Sequence, residues 1–370
     1  MITAPGHGVS TRPAGHHPRR QAARRGIMED GVGPARPSKG DGTVEYRRLG
    51  NTGLRVSAIG LGTNMFGGKS DAQRSIRTLA AAVESGVTLI DTANIYTGGA
   101  SEKIIGEALA GPLRSERDRL VIATKVGLRA AEGPNGSGSS RMHIQGEVEK
   151  SLRSLKTDRI DLLWIHTFDA ETALDETLST LDALVRSGKV RYVGCSNHRG
   201  WEMMKALWTS DRHHLVRYQA IQVSYSLADR VVEREVLPAA RDQGLGVVTY
   251  FPLAGGVLTG KYLGGQIPED SRAAFSAGLR EKASAEPFVG VAEMALEVAK
   301  EIGATPAQVA LAWLLGRRGV SSAIAGASGP EQAAENTKAS DITLTDEAGD
   351  RLDRASDVFR WLPPFGDFRL

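Results

Sequence analysis

From Val44 onward the chain alternates short, β-rich apolar runs with amphipathic helical stretches, and this alternation restricts the possible fold more than any other feature. The runs cover residues 56–61, 87–91, 120–125, 160–166, 190–195, 218–223, 246–250 and 322–326. Helical stretches such as residues 71–85, 146–155, 172–187, 231–243 and 306–315 lie between them. Eight buried-type strands, each followed by a helix, predict an α/β architecture with a parallel sheet, and eight such units suggest closure into a (β/α)8 TIM barrel. An open doubly wound sheet is the main alternative. Gly86, Gly188 and Gly244 directly follow helical stretches, where a left-handed residue ends a helix, whereas residues 151–156 carry no such stop. Ahead of the first barrel strand, residues 44–56 read as a β-hairpin turning at Asn51-Thr52-Gly53, expected to plug one end of the barrel. Two long polar insertions, residues 130–140 and 264–287, read as lids.

Residues 1–43 are different. They are rich in Gly, Pro, Arg and His, with Arg19, Arg20, Arg24 and Arg25 close together. Such a segment buries too little apolar surface to offset its ordering entropy, so it reads as a disordered basic tail, and residues 44–370 as one barrel domain. The paired arginines suggest an export signal, but no apolar stretch of about 7 to 15 residues follows them. A dispensable tail, or a start site upstream of the true one at Met28, is the plainer reading. The net charge of +3 is too small to argue for nucleic acid. No apolar run reaches the ~18 to 20 residues that span a bilayer. Cys195 is the sole cysteine, which excludes an internal disulfide and suits a cytoplasmic location.

The chemistry is concentrated where strands end. The second run ends at Asp91, the third at Lys125, the fourth at His166, the fifth at Ser196-Asn197, the sixth near Gln222 and the seventh at Tyr250. In a (β/α)8 barrel these ends converge on the face that carries the active site. Any one of them could merely cap a helix; six in succession point to function. Tyr96 lies five residues beyond Asp91, close enough to fold over the mouth. A phenol titrates near ~10, too high for an efficient acid at neutral pH, but the ammonium of Lys125 would lower that value. Asp91 would hold Lys125 charged, and His166 would hydrogen-bond the same carbonyl oxygen. Taken alone, Tyr96 reads as a loop aromatic and His166 as a core histidine; together they read as a proton-transfer set. Cys195 with His198 could be a thiol and base, though a buried inert cysteine is the usual case. His213-His214 lack further ligands, so no metal site is expected.

These residues resemble the aldo-keto reductase superfamily. Gly86-Val-Thr-Leu-Ile-Asp-Thr-Ala-Asn-Ile-Tyr96 with Ser101, Glu102 and Gly106 is similar to its first signature, and Asp161-Leu-Leu-Trp-Ile-His166 to its second. The branch resembled is that of potassium-channel β subunits and bacterial general-stress and aryl-alcohol-type reductases. The resemblance implies a catalytic tetrad of Asp91, Tyr96, Lys125 and His166. It also implies NADPH extended across the barrel mouth, with NADH less favoured. A Rossmann fingerprint is missing: Gly60 and Gly62 follow a strand, but Met65 stands in the third glycine position. By resemblance, Ser196, Asn197 and Gln222 hydrogen-bond the nicotinamide carboxamide and Tyr250 stacks on its ring. The run from Tyr250 to Lys261 looks like a pyrophosphate loop, with contacts at Phe251, Leu253, Ala254 and Gly256. Phe251 stands where relatives often carry Ser, so its contact is expected through the backbone. Ala254, Gly255 and Gly256 are small enough for backbone N–H groups to approach phosphate oxygens. Gly326, Ser328, Gln332, Glu335 and Asn336 match the adenosine end. Relatives often place Arg at the Ser328 position, which leaves Lys261 and Arg272 as the candidate phosphate-binding cations.

The implied reaction is reduction of a small-molecule carbonyl substrate, with candidate pocket walls in Met65, Phe66, Tyr96, Phe168 and Trp361. A homo-oligomer is compatible with the sequence, but no oligomeric state is readable from it. Two other readings stand beside this one. The first is a nucleotide-binding regulatory subunit with little turnover, like the potassium-channel β subunits; the second is a lyase or isomerase forming a Schiff base on Lys125.

Overall fold

The structure, a computed structural model, describes Met1 and residues 44–365 apart from Asp270. The expectation for residues 1–43 therefore falls, Met1 aside, outside the described residues. A two-stranded antiparallel ladder comes first, β1 (Tyr46–Arg48) against β2 (Arg55–Ser57), pairing Tyr46 with Ser57 and Arg48 with Arg55. Eight strands follow: β3 (Ile59–Gly62), β4 (Leu89–Asp91), β5 (Val121–Val126), β6 (Ile160–Ile165), β7 (Val190–Ser196), β8 (Ala220–Ser224), β9 (Gly246–Tyr250) and β10 (Val320–Gly326). They pair in parallel in sequence order, and β10 closes onto β3, with Ile324 opposite Gly60 and Gly326 opposite Gly62. A closed ring of eight rules out the open doubly wound sheet. The fold is a (β/α)8 TIM barrel.

The hairpin is a plug. Leu49 and Val56 are fully buried among inward-facing residues from six barrel strands, including Leu89, Leu162, Trp164 and Val248. Its position is fixed at the N-terminal ends of the strands. Asn51 donates through its backbone to Gly244 at 2.9 Å, and Ser321 at the start of β10 donates to the Arg48 carbonyl at 2.9 Å. Gly50 sits at φ +57, and a Cβ there would lie 2.4 Å from the Gly246 nitrogen, so only glycine fits where hairpin and barrel touch. With this end sealed, the opposite face is left for chemistry.

Several boundaries differ from the sequence reading. The run 56–61 is two strands: Ser57 ends β2 opposite Tyr46 while its hydroxyl accepts hydrogen bonds from the Thr88 and Leu89 N–H groups, and Ala58 makes the bend into β3. The helix expected at 231–243 is broken into a short turn, Val231–Arg234, and a helix, Val236–Asp242; Pro238 has no N–H to offer, so the helix starts within a turn of it. The insertion 130–140 ends in Ser140, which caps a helix, Arg141–Ser154, longer than the stretch expected at 146–155. That helix stops without a glycine because Lys156 itself takes the left-handed conformation at φ 50. Gly86, Gly188 and Gly244 adopt positive φ at the three expected helix stops. The insertion 264–287 contains two short helices, Arg272–Phe275 and Ala277–Ser284. Among the described residues, no helix is long and apolar enough to cross a membrane.

Candidate active site

The C-terminal ends of the strands open into a cavity of about 540 Å³, within the size range of small-molecule sites. At its base Lys125, at the end of β5, is 1% exposed. Its Nζ donates to Asp91 Oδ2 at 2.5 Å, to the Thr92 carbonyl at 2.8 Å and to the Tyr96 hydroxyl at 3.1 Å. An ammonium has three donors, and all three are used. The second Asp91 oxygen accepts from Gln222 Nε2 at 2.7 Å, so β4, β5 and β8 are cross-linked beneath the phenol. Tyr96 is carried by the short turn after β4, where Asn94 donates its backbone N–H to the Lys125 carbonyl at 3.2 Å. The Asn94 side chain is held by Glu147 at 2.7 Å. His166 follows β6 and meets Tyr96 edge-on, with ring centroids 6.1 Å apart.

The protonation states follow from burial and charge. Burial drives the Tyr96 phenol above its ordinary range, the nearby Lys125 pulls it down and Asp91 pushes it up; the net direction is upward. This corrects the expectation that Lys125 lowers the phenol outright: desolvation outweighs the ammonium, and Tyr96 keeps its proton. Burial works against a charged Lys125, but Asp91 and Tyr96 outweigh it and its value rises. His166 is pushed down to about 3, first by burial and then by the charge of Lys125, so its imidazole is neutral at neutral pH. A neutral histidine and a protonated phenol therefore face the cavity, with a buried ammonium behind the phenol.

The other expected residues sort into two groups. Ser196, Asn197, Gln222, Tyr250, Phe251, Leu253, Gly256, Lys261, Arg272, Gly326, Ser328 and Gln332 line the same cavity as Asp91, Tyr96 and His166. Asn197 donates to the His166 carbonyl at 2.9 Å and accepts from the Tyr250 hydroxyl at 2.7 Å, which ties β7 and β9 across the mouth. Among the described residues, Ser196 Oγ and His166 Nδ1 are buried without a hydrogen-bond partner, an unusual state unless a ligand completes it. The turn after β9 puts Ala254, Gly255 and Gly256 at φ 47, 66 and 103, and its backbone edges the cavity as a phosphate-binding turn requires.

Ala254 is itself fully buried and does not line the cavity. Glu335 and Asn336 do not reach it either. Glu335 is engaged by Gln308 at 2.6 Å and Lys338 at 2.7 Å, and Asn336 is buried, donating to the Gly326 carbonyl at 3.4 Å. Of the five candidate pocket walls, only Met65 and Tyr96 face the cavity. Phe66 is buried in the core, Phe168 packs on His198 and Trp201, and Trp361 lies exposed against Arg234. Cys195 is fully buried, and burial raises its thiol well above the range of a nucleophile.

Sequence reasoning missed the apolar lining residues Ile95 and Leu128 and the cations Lys69 and Arg74. A residue just after a barrel strand, or in the first turn of the next helix, lies on the catalytic face, and that position was the available signal. Lys69, Arg74, Lys261 and Arg272 all line the cavity, and none has an ion-pair partner among the described residues. The single acidic side chain in the described wall, Asp91, is already neutralised by Lys125. Four unpaired cations in one cleft suit a polyanion.

Residues 58–357 match the family described as the Aldo/keto reductase family. The chain is 40% identical over 325 residues to an uncharacterized oxidoreductase, YrpG, of Bacillus subtilis, a match covering 85% of this chain and 96% of that protein. It is 35% identical over 316 residues to a probable voltage-gated potassium channel subunit beta of Oryza sativa subsp. japonica, covering 84% and 96%. It is 35% identical over 309 residues to an L-glyceraldehyde 3-phosphate reductase of Escherichia coli, covering 80% and 88%.

Proposed function

Because the chain belongs to the Aldo/keto reductase family and is an NAD(P)H-dependent oxidoreductase acting on small carbonyl compounds, we propose that it reduces aldehydes and ketones with NADPH, using Tyr96 as the proton donor. The observation that carries this reading is the contact of 3.1 Å between Lys125 Nζ and the Tyr96 hydroxyl, with Asp91 behind the ammonium. When bound, NADPH supplies the hydride to the carbonyl carbon. Tyr96 gives its proton to the carbonyl oxygen as negative charge develops there. The resulting phenolate is buried, and the ammonium of Lys125 is the charge that stabilises it until solvent returns a proton. Asp91 keeps Lys125 protonated. Neutral His166 donates a hydrogen bond to the same oxygen and so orients the substrate.

Ser196, Asn197 and Gln222 would hold the carboxamide, Tyr250 the nicotinamide face, and the turn at Gly255 and Gly256 with Lys261 and Arg272 the phosphates. Orphaned Ser196 Oγ and the unpaired cations support that fit. The apolar side chains of Met65, Ile95 and Leu128 in the cavity lining favour an uncharged carbonyl substrate. We assign the work to residues 44–370 as one unit and place the enzyme in the cytoplasm.

A panel of aldehydes tested with saturating NADPH, then with NADH, is the direct test. Many turnovers per protein with NADPH, and fewer with NADH at equal concentration, are the expected result. Oxidation of no more than one equivalent of nucleotide would favour the regulatory-subunit reading. Borohydride trapping of a substrate on Lys125 without any nucleotide would favour a lyase.

A further inference from the structure

We propose that Arg74 is the side chain that reads the nucleotide's 2′-phosphate, and so sets the choice between NADPH and NADH. The inference rests on the NADPH reading above and assigns the deciding contact to a residue outside the strand-end motifs.

Arg74 stands in the first turn of the helix Ala72–Glu84, the segment that follows β3. Its Nε donates to the Ser328 carbonyl at 2.6 Å. A Cβ at position 329 would lie 3.1 Å from Arg74 Nη2, so Gly329 leaves the space the guanidinium occupies. The side chain shares the cavity wall with Ser328 and Gln332, the stretch matched to the adenosine end. Glu331 is in the same neighbourhood, yet no ion pair joins it to Arg74. With Nε held by a carbonyl, the other guanidinium N–H groups have no acidic partner among the described residues.

The other cations are placed for different work. Lys261 packs against the Gly256 turn, where its Nζ lies 3.0 Å from a Cβ position, and over the Tyr262 ring at 5.2 Å. Arg272 lies against Phe251 at 5.9 Å and Asn64 at 3.5 Å. Both flank the turn expected to hold the pyrophosphate, with Arg272 Nη2 also 3.6 Å from a Cβ position at Gly326, and Lys69 sits over the Phe275 ring at 3.9 Å. Arg74 is the cation bonded to the adenosine segment itself. A guanidinium offers a planar fork of donors that matches a phosphate, whereas an unmodified ribose hydroxyl gives it little to bind.

The test uses the full chain and two probes, 2′,5′-ADP and 5′-AMP, which differ only at the 2′ position. Binding is read by titration calorimetry, without catalysis. The unmodified protein should bind 2′,5′-ADP more tightly than 5′-AMP. In Arg74→Ala the affinity for 2′,5′-ADP should fall about tenfold or more, the size of a lost charge-assisted hydrogen bond, while 5′-AMP binding stays unchanged. Arg74→Lys should recover part of the difference, because it restores the charge without the fork. Unaltered 2′,5′-ADP binding in Arg74→Ala, with the unmodified protein still preferring that probe, would overturn the role of Arg74 alone. No preference in the unmodified protein would overturn the NADPH reading and this inference with it.

Discussion

Replacing Tyr96 by Phe is expected to lower kcat/KM for an aldehyde by about 10²- to 10⁴-fold, the usual worth of a positioned acid. The change removes one oxygen and nothing else. The ring keeps its edge-on contact with His166, and Lys125 keeps Asp91 and the Thr92 carbonyl. Nucleotide affinity and thermal stability should therefore change little, and nucleotide titration beside steady-state kinetics separates the effects. The unmodified enzyme also has a pH signature. A donor must carry its proton, and burial holds the Tyr96 phenol above its ordinary value. Its rate of reduction should stay level through neutral pH and fall only on the alkaline side. His166, pushed down to about 3, should add no acid limb between pH 5 and 7. Near-normal turnover in the Phe variant would remove Tyr96 from the mechanism.

Replacing Lys125 by Met is expected to cost both activity and stability. Without the ammonium, a phenolate formed in the buried site has no counter-charge, and reduction should become undetectable. The fold suffers as well, because Asp91 is buried and, among the described residues, its carboxylate keeps only Gln222 as a side-chain partner. Removing one member of a buried ion pair costs about 3–5 kcal/mol, since the other charge is left uncompensated. Denaturation midpoints of both proteins at pH 7 check this. A variant as stable as the parent at pH 7 would mean that the pair is not buried as described.

The clustering of polar strand ends was legible because a barrel strand is apolar along its length and a polar residue at its end breaks the pattern. Asp91, Lys125, His166, Ser196 and Tyr250 all show that break, and the barrel brings them together. Tyr96 needed the resemblance, since its loop position alone was ambiguous. Side-chain direction was harder to read. Gln332, Glu335 and Asn336 lie near one helical face by spacing, yet Gln308 and Lys338 take Glu335 away from the cavity. Phe66, Phe168 and Trp361 have the aromatic character of pocket walls, but their neighbours in space decided otherwise. Arg74 was invisible for another reason: an arginine on a helix looks like a solvated charge until the structure sets it against Ser328. The break at Ala58 between hairpin and barrel depends on Ser57 meeting Thr88 and Leu89, a contact remote in sequence.

The phenol–ammonium pair at the barrel mouth is tested most directly by a crystal structure of the protein with bound NADP+. The expected result places the nicotinamide against Tyr250, its carboxamide on Ser196, Asn197 and Gln222, and its reactive carbon facing the hydroxyl of Tyr96. A nicotinamide bound elsewhere, or a Tyr96 hydroxyl parted from Lys125 in that complex, would contradict it.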